Sequence, residues 1–384
     1  MDQNVFFTNA LNSLLHYCSS RSYQGWDNYD GLNSKLLRNS PAFRSPFLRL
    51  AWIQFFKHCP VNLRGITLVP AGHNAKGLSL FASGLIALGR KKRAGALLDI
   101  LSDISSAGYT EKCWGYNFDW QARSNLIPAG SPNIVTTVFA ANAFLDYFDR
   151  VGSKKHLEIA AGSCRFILDN LTVFEDNDTL CFGYVPGGSI RVHNANMLGA
   201  ALLARVYNRT GNTACLDKSK KAMAYSVRAI NDDSSWNYGE MSFNRFIDNF
   251  HTGFNLVALQ SWMEQTGDYE WTGILKGAYE YFLKTFWLDN GCPRYYRDST
   301  YPVDIHCSAQ GIVTCLRLSK YHPDSHSWAK RIAEWAIVNM QDETGFFYYQ
   351  KTRWCTNKIP YMRWSQAWMF YALSLLVSHS LKDV

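Results

Sequence analysis

The sequence predicts an all-α chain whose helical hairpins close into an (α/α)6 toroid, with short aromatic strand-like loops at one face. Three patterns lead there. Segments apolar on every side alternate with segments that keep a polar face. Each pair is joined at a Gly or Pro, the usual helix stop signal. The loops between pairs carry aromatic clusters at a steady interval: Tyr184, Tyr238, Tyr295 and Tyr348 lie 54, 57 and 53 residues apart. A fixed period of this kind is the mark of a repeat architecture. Length alone, at 384 residues, would suggest two or three domains. A closed ring needs only one, spanning 1–384.

The first hairpin runs from about Lys76 through a turn at Gly89-Arg90 to about Ser105. The second starts near Asn133, turns at Val151-Gly152-Ser153 and ends near Leu171. The third runs from Asn194 through Thr210-Gly211-Asn212 to Ile230, and the fourth from Thr252 through Thr266-Gly267-Asp268 to Trp287. The fifth starts near His306, turns at His322-Pro323-Asp324 and ends near Met340. A last helix begins near Tyr361, and the N-terminal helix, about Asn4–Cys18, pairs with it to make the sixth. The first member of each pair, such as Leu198-Gly199-Ala200-Ala201-Leu202-Leu203-Ala204, is apolar all round and therefore buried. The second member is amphipathic and half exposed. Two concentric rings follow, with tight turns at one end and the long aromatic loops at the other.

Composition narrows the function. The chain is 47% hydrophobic, 18% charged and 15% aromatic, so it can bury a large core and still keep rings for a surface. The net charge is +8, and the basic residues read as scattered, densest at Arg90-Lys91-Lys92-Arg93. No basic stripe or recognisable module argues for nucleic acid. A mild positive field suits an anionic small molecule or polymer. Ten cysteines show no CxxC, and those on apolar stripes, such as Cys164 and Cys315, pack as small hydrophobes. The N-terminus lacks a secretory pattern and no stretch is long enough for a transmembrane segment, so the chain is expected to be cytoplasmic.

Residues at or just before the inner-helix starts converge on the loop end, the mouth of the barrel. They include Asp119, Trp120, Arg123, His193, Asn194, Asn196, Tyr238, Glu240, Asp248, His251, Asp304, His306, Tyr361, Arg363, Trp364 and Gln366. Helix N-termini pointing there carry partial positive charge and free N–H groups suited to carboxylates. His193, His251 and His306 recur at equivalent repeat positions, and histidine titrates near working pH. They read either as acid/base groups or as helix-end hydrogen-bonding residues. A zinc site with Asp248 or Asp304 is the third reading, but no i, i+4 histidine pair supports it, and neither metal nor cofactor is assigned. Two of Asp119, Glu240, Asp248 and Asp304 at the right separation would make a glycosidase. Asp248 and Asp304 equally suit N-caps. No phosphate-cradling or dinucleotide loop is present.

The stretches Trp26–Asn33, Phe118–Gln121, Val192–Asn196, Asp248–Asn255 and Pro360–Trp368 resemble the VpsJ-type polysaccharide-biosynthesis proteins of prokaryotes. That resemblance covers nearly the whole chain and implies an (α/α)6 toroid with a role in extracellular or capsular glycan production. Asp248–Asn255 and Tyr361–Trp368 also resemble segments of the helical domain of glucuronyl C5-epimerases. The reading that follows is an epimerase or lyase on a uronate-containing glycan. His251, His193 and Tyr361 would be base and acid, with Asp248 and Glu240 also in the catalytic set. Arg363, Asn194 and helix N–H groups would hold the carboxylate, with Asp248 or Asp304 pairing Arg363 in the empty state. The partner is an anionic oligo- or polysaccharide, lipid-linked forms included. The alternatives are a glycoside hydrolase, a cytoplasmic sugar 2-epimerase using paired histidines, and a non-catalytic glycan-binding subunit.

Overall fold

The computed structural model describes residues 3–122 and 125–380. Six helices make an inner ring: α4 (Ala75–Ala87), α6 (Ile134–Val151), α8 (His193–Thr210), α10 (Asn249–Thr266), α12 (Ile305–Arg317) and α14 (Trp368–Ser380). Each packs on the next, and α14 packs back on α4, so the ring is closed. The outer ring is α5 (Lys91–Asp103), α7 (Lys154–Leu171), α9 (Thr213–Val227), α11 (Thr272–Thr285), α13 (Ser325–Met340) and α1 (Gln3–Ser19). The first helix of the chain thus lies against the last, as its apolar stripe predicts. This is the (α/α)6 toroid. Two helices, α2 (Lys35–Arg38) and α3 (Pro46–His58), stand outside the rings in the segment that joins α1 to α4.

Sequence chemistry accounts for the two rings. Every residue of α12 from Ile305 to Leu316 is buried. In α9 only one stripe is buried: Cys215, Ser219, Ala222, Met223, Ser226 and Val227. That is helical spacing with the lysines left outside. At the turn end, α6, α8 and α10 stop at Gly152, Gly211 and Gly267, each near φ +72, a left-handed conformation that glycine takes without a Cβ penalty. The fifth hairpin differs from expectation. Its inner helix stops at Arg317, and a short 3-10 turn, Ser319–Tyr321, fills the gap to α13.

At the other end one hydrogen bond repeats around the ring. The first N–H of an inner helix donates to the tyrosine carbonyl of the next aromatic loop. Ile134 donates to Tyr184, His193 to Tyr238, Asn249 to Tyr295, and Ile305 to Tyr349, at 3.0 to 3.2 Å. The fifth such bond runs from Met362 N–H to the carbonyl of Trp26, at 3.0 Å. The loop around Trp26 is therefore the missing sixth aromatic loop. The register residue of the fifth is Tyr349 and not Tyr348.

The last inner helix also starts differently. Residues Met362–Ala367 form a π-helical turn ahead of α14, with the Ser365 and Gln366 N–H groups both donating to the Tyr361 carbonyl. One extra residue per turn aims Arg363 and Trp364 inward, and such bulges recur at functional sites. Seven strands of two to four residues, among the described residues, pair within the loops.

Close approach between rings gives the first prediction. A Cβ on Gly311 of α12 would sit 2.2 Å from the buried ring of Trp287. Gly311→Ala should gain roughly 1 kcal/mol in helix propensity but lose about 1–3 kcal/mol to overpacking. Urea unfolding should show a lower midpoint, and a higher one would refute this account of the ring spacing.

Candidate active site at the barrel mouth

Three inward rings divide the barrel. Phe139 of α6, Phe254 of α10 and Trp368 of α14 meet across the axis with centroids 5.3 to 6.0 Å apart. Beyond them, at the turn end, an internal cavity of about 320 Å³ is lined by Asn142, Arg205, Ser261 and Arg317 among others. It touches no residue of the mouth cluster. The candidate chemistry lies on the loop side of this septum.

On that side the buried Lys76 of α4 has its Nζ 4.3 Å from the Phe139 centroid and 5.1 Å from those of Phe254 and Trp368. It has no hydrogen-bond or ion-pair partner among the described residues. Burial first, then the Arg363 charge, pushes its amine well below the usual 10.5, while Asp27 pulls the other way. His306 lies beside it, stacked on Phe250 at 4.6 Å and on Trp368 at 4.6 Å. Neither of its ring nitrogens has a partner. Burial, then the charges of Lys76, Arg363 and His251, push the imidazole well below 6.5 and keep it neutral.

His251 packs on the other side of Phe250 at 4.1 Å and against Tyr238 at 4.5 Å. Both histidines lie 5.9 Å from Phe254. The His251 side chain keeps one-fifth of its surface exposed. Its Nδ1 is 2.8 Å from Oδ2 of the buried Asp248, whose Oδ1 also accepts the His251 backbone N–H at 3.0 Å. Asp248 is thus both a cap and the group that orients His251, leaving Nε2 free to take a proton. Asp304 likewise caps α12 through the His306 N–H, and also accepts Trp364 Nε1 at 3.0 Å. Burial pushes its carboxyl up to about 6.

Several expectations need correction. Arg363 is paired, but its partner is neither Asp248 nor Asp304. It makes a bidentate contact of 2.6 and 2.7 Å with the buried Asp27 in the Trp26 loop. A second buried pair, Arg64 with Asp30 at 2.7 Å, fixes the same loop. Tyr361 lies against Arg64 and not Arg363, and burial pushes its phenol above 10, which removes it as a base. His193 does not join the other histidines; it turns toward α9, where Nδ1 is 3.4 Å from Ser226 Oγ. Asn196 and Gln366 are anchors: each side-chain amide accepts a loop N–H, from Phe182 and Phe347 respectively, and donates to a buried carbonyl. Glu240 is spent on the rim with Tyr225 and Arg191. Asp119 holds Arg38 of α2 and the Ala129 N–H, each at 2.7 Å.

Part of the inner-helix N–H set is already taken. Asn74, Asn133, Asp248 and Asp304 cap four of the six helices, and loop carbonyls take one N–H at each of five. Trp120 packs edge-on against Tyr184, and the buried Asn194 has an unpaired Oδ1. Arg123 lies outside the described residues. Among the described residues no group of three His, Cys, Asp or Glu is arranged to hold a metal. Lys76 and Asp27 were the residues sequence reasoning missed. The signal for Lys76 was a cation in the first turn of an otherwise apolar helix, where the helix dipole disfavours it.

Solved structures share this toroid. A glycoside hydrolase family 76 α-mannanase from Bacteroides thetaiotaomicron aligns at 14% identity and TM-score 0.62, over 81% of this chain and 87% of that one. A cellobiose 2-epimerase from Bacillus thermoamylovorans aligns at 10% and 0.62, over 80% and 86%. A D-mannose isomerase aligns at 12% and 0.60, over 80% and 87%. These likenesses establish the fold. No protein-family model and no curated protein matches the chain. Among the described residues no helix is long and apolar enough to cross a membrane.

Two predictions follow from the buried charges. Asp27→Asn leaves Arg363 buried and unpaired, which should cost about 3–5 kcal/mol in denaturant unfolding; adding Arg363→Met should restore most of it. The second concerns His306. Below 6.5 the unfolded chain binds a proton that the folded imidazole refuses, so this residue's contribution to stability falls as pH falls. Relative to His306→Asn, wild type should lose about 1.4 kcal/mol per pH unit below that point. A difference that stays flat from pH 7 to 5 would mean the imidazole is protonated where it sits.

Proposed function

We propose that this chain is a carbohydrate-active enzyme of the epimerase or isomerase type, which removes and returns a proton at a carbon of an acidic sugar. The observation that carries the reading is the His251–Asp248 pair at the mouth, with neutral His306 across the same Phe250 ring. Asp248 accepts from Nδ1, so His251 Nε2 is the base. Neutral His306 donates an N–H to the oxygen that gains charge as the proton leaves. The unpaired Lys76 amine, held toward its neutral form in the empty site, takes up a proton beside a bound carboxylate or enolate and so supplies the cation, the role first expected of Arg363.

A hydrolase is the weaker reading because each carboxylate at the mouth is spent on a cap, an orienting bond or an ion pair. The epimerases and the isomerase among the structural neighbours add support at the level of fold only. An acidic glycan of the extracellular or capsular kind, lipid-linked forms included, is the substrate class, and residues 1–384 act as one domain.

The test is incubation with uronate oligosaccharides and with reducing disaccharides in deuterated water. Deuterium should enter at C5 of the former or C2 of the latter. His251→Ala should abolish that exchange while melting within a few degrees of wild type. Lys76→Met should melt higher than wild type, because it removes a buried polar amine that has no partner. It should also weaken binding of the acidic sugar by about 1.5–3 kcal/mol and spare a neutral one. New reducing ends without deuterium would overturn the reading in favour of hydrolysis.

A further inference from the structure

The segment between α1 and α4 has a small apolar core of Leu32, Leu37 and Ile53, yet it also buries charges and exposes large apolar side chains. Toward the barrel it presents charge: Asp27, Asp30 and Arg64 are all buried. Toward solvent it presents hydrophobic side chains. Along α3 the exposed positions are Phe47, Leu48, Ala51, Gln54, Phe55 and His58, one helical stripe and mostly apolar. Phe47 is 76% exposed. Leu36, Ile66 and Leu68 extend the surface, with Ile66 at 75%. The Lys35 N–H donates to the Leu68 carbonyl, so these stretches are neighbours. The Trp354 hairpin stands beside them, tied to the end of α3 by Asn357 Nδ2 to the Cys59 carbonyl at 3.1 Å, and Trp354 is 86% exposed.

Exposed cations predominate around this surface, where Asp119 at its edge is held by Arg38. Between Asp30 and Asp99 there are eleven Lys and Arg and no Asp or Glu. The rest of the chain carries 28 basic residues against 31 acidic ones, so the net charge of +8 comes from residues 31–98; of those eleven cations Arg64 and Lys76 are buried and Arg90-Lys91-Lys92-Arg93 stand at the turn end, away from α3. The basic residues, read as scattered from the sequence, are concentrated. Lys35, Arg38 and Arg44 are exposed beside the apolar stripe, as are Arg353 and Lys358 beside Trp354. Exposed apolar patches mark interaction sites. Phe, Leu and Trp fringed by Lys and Arg are the composition of a helix that lies in a lipid headgroup region, the rings at the acyl boundary and the cations on anionic lipid.

We infer that the α3 segment docks this protein on an anionic membrane surface, with the barrel mouth held beside the bilayer. A second copy of the chain or a protein partner would need acidic groups to answer the cations, and Asp119, the carboxylate at this edge, is already taken by Arg38 and the Ala129 N–H. The inference stands independently of the chemistry proposed for the mouth.

The probe is unilamellar vesicles of phosphatidylcholine, with or without 30% phosphatidylglycerol, in a flotation assay. Wild type should float with the anionic vesicles, at least tenfold more than with neutral ones, and raised salt should weaken binding. Phe47→Ser/Phe55→Ser/Trp354→Ser should lose at least tenfold in binding. Those side chains are exposed, so its circular dichroism and melting temperature should match wild type. No binding to anionic vesicles at low salt would overturn the inference. So would equal binding by the triple variant, or a wild-type dimer in light scattering that the triple variant converts to monomer.

Discussion

The mouth of this barrel is organised by a requirement of every helix: its first N–H groups have no partner within the helix and must find one. Six inner helices bring six such ends together, away from bulk water. The chain answers with a loop carbonyl for each of five of them, Tyr184, Tyr238, Tyr295, Tyr349 and Trp26. Once a backbone carbonyl is fixed there, its side chain is fixed as well. The inward tyrosines and the interval between them are therefore consequences of one backbone bond, repeated. Asn74, Asn133, Asp248 and Asp304 satisfy further N–H groups from the same ends.

That economy decides which groups are left for chemistry. Capping fixes the Asp248 carboxylate, and its second oxygen then orients His251. Capping fixes Asp304 too, and Trp364 leans on it and on His306. A residue that solves a structural problem with one atom so becomes the positioning group for its neighbour with another. Capping and catalysis, weighed as alternatives for Asp248, are compatible in one side chain. The same bonds leave fewer N–H groups for an anion at the helix starts, because a loop carbonyl or a cap already holds one or two at each.

The rings were legible in the sequence because their signals are local. Apolar periodicity, Gly152, Gly211 and Gly267 at the turns, and the aromatic interval each report within a few residues. His251 and Asp248 were each legible as residues of one helix start, but their pairing was not read from the sequence, although they lie three positions apart. Arg363 with Asp27 was not legible, since the partners lie 336 residues apart and meet only when the ring closes. Asn196 and Gln366 looked like mouth residues because of their place in the repeat. Their direction depends on which way the first turn faces, and a one-residue change such as the π-helical turn before α14 moves it by a third of a circle. Lys76 shows in the sequence only as a cation out of place in an apolar helix, with no reactive partner near it in the chain.

Out-of-place residues are the more telling ones in this chain. Folding alone favours apolar groups inside and charges outside, yet the segment from Asp27 to Leu68, beside its small apolar core, also buries charges and exposes large apolar side chains. Burying Arg363 with Asp27 and Arg64 with Asp30 gives little net stability over apolar side chains of equal size. Exposing Phe47, Ile66 and Phe55 forgoes burial worth roughly 1.5–3 kcal/mol for each large side chain. Neither arrangement is what stability would select, so each needs a reason outside the fold. Inside, the ion pairs specify a single seating of the segment, because a slipped register would strand a charge in the core. Outside, the apolar stripe has a reason only if something covers it. A segment seated this rigidly transmits its orientation to the barrel, so whatever binds α3 also sets which way the mouth faces.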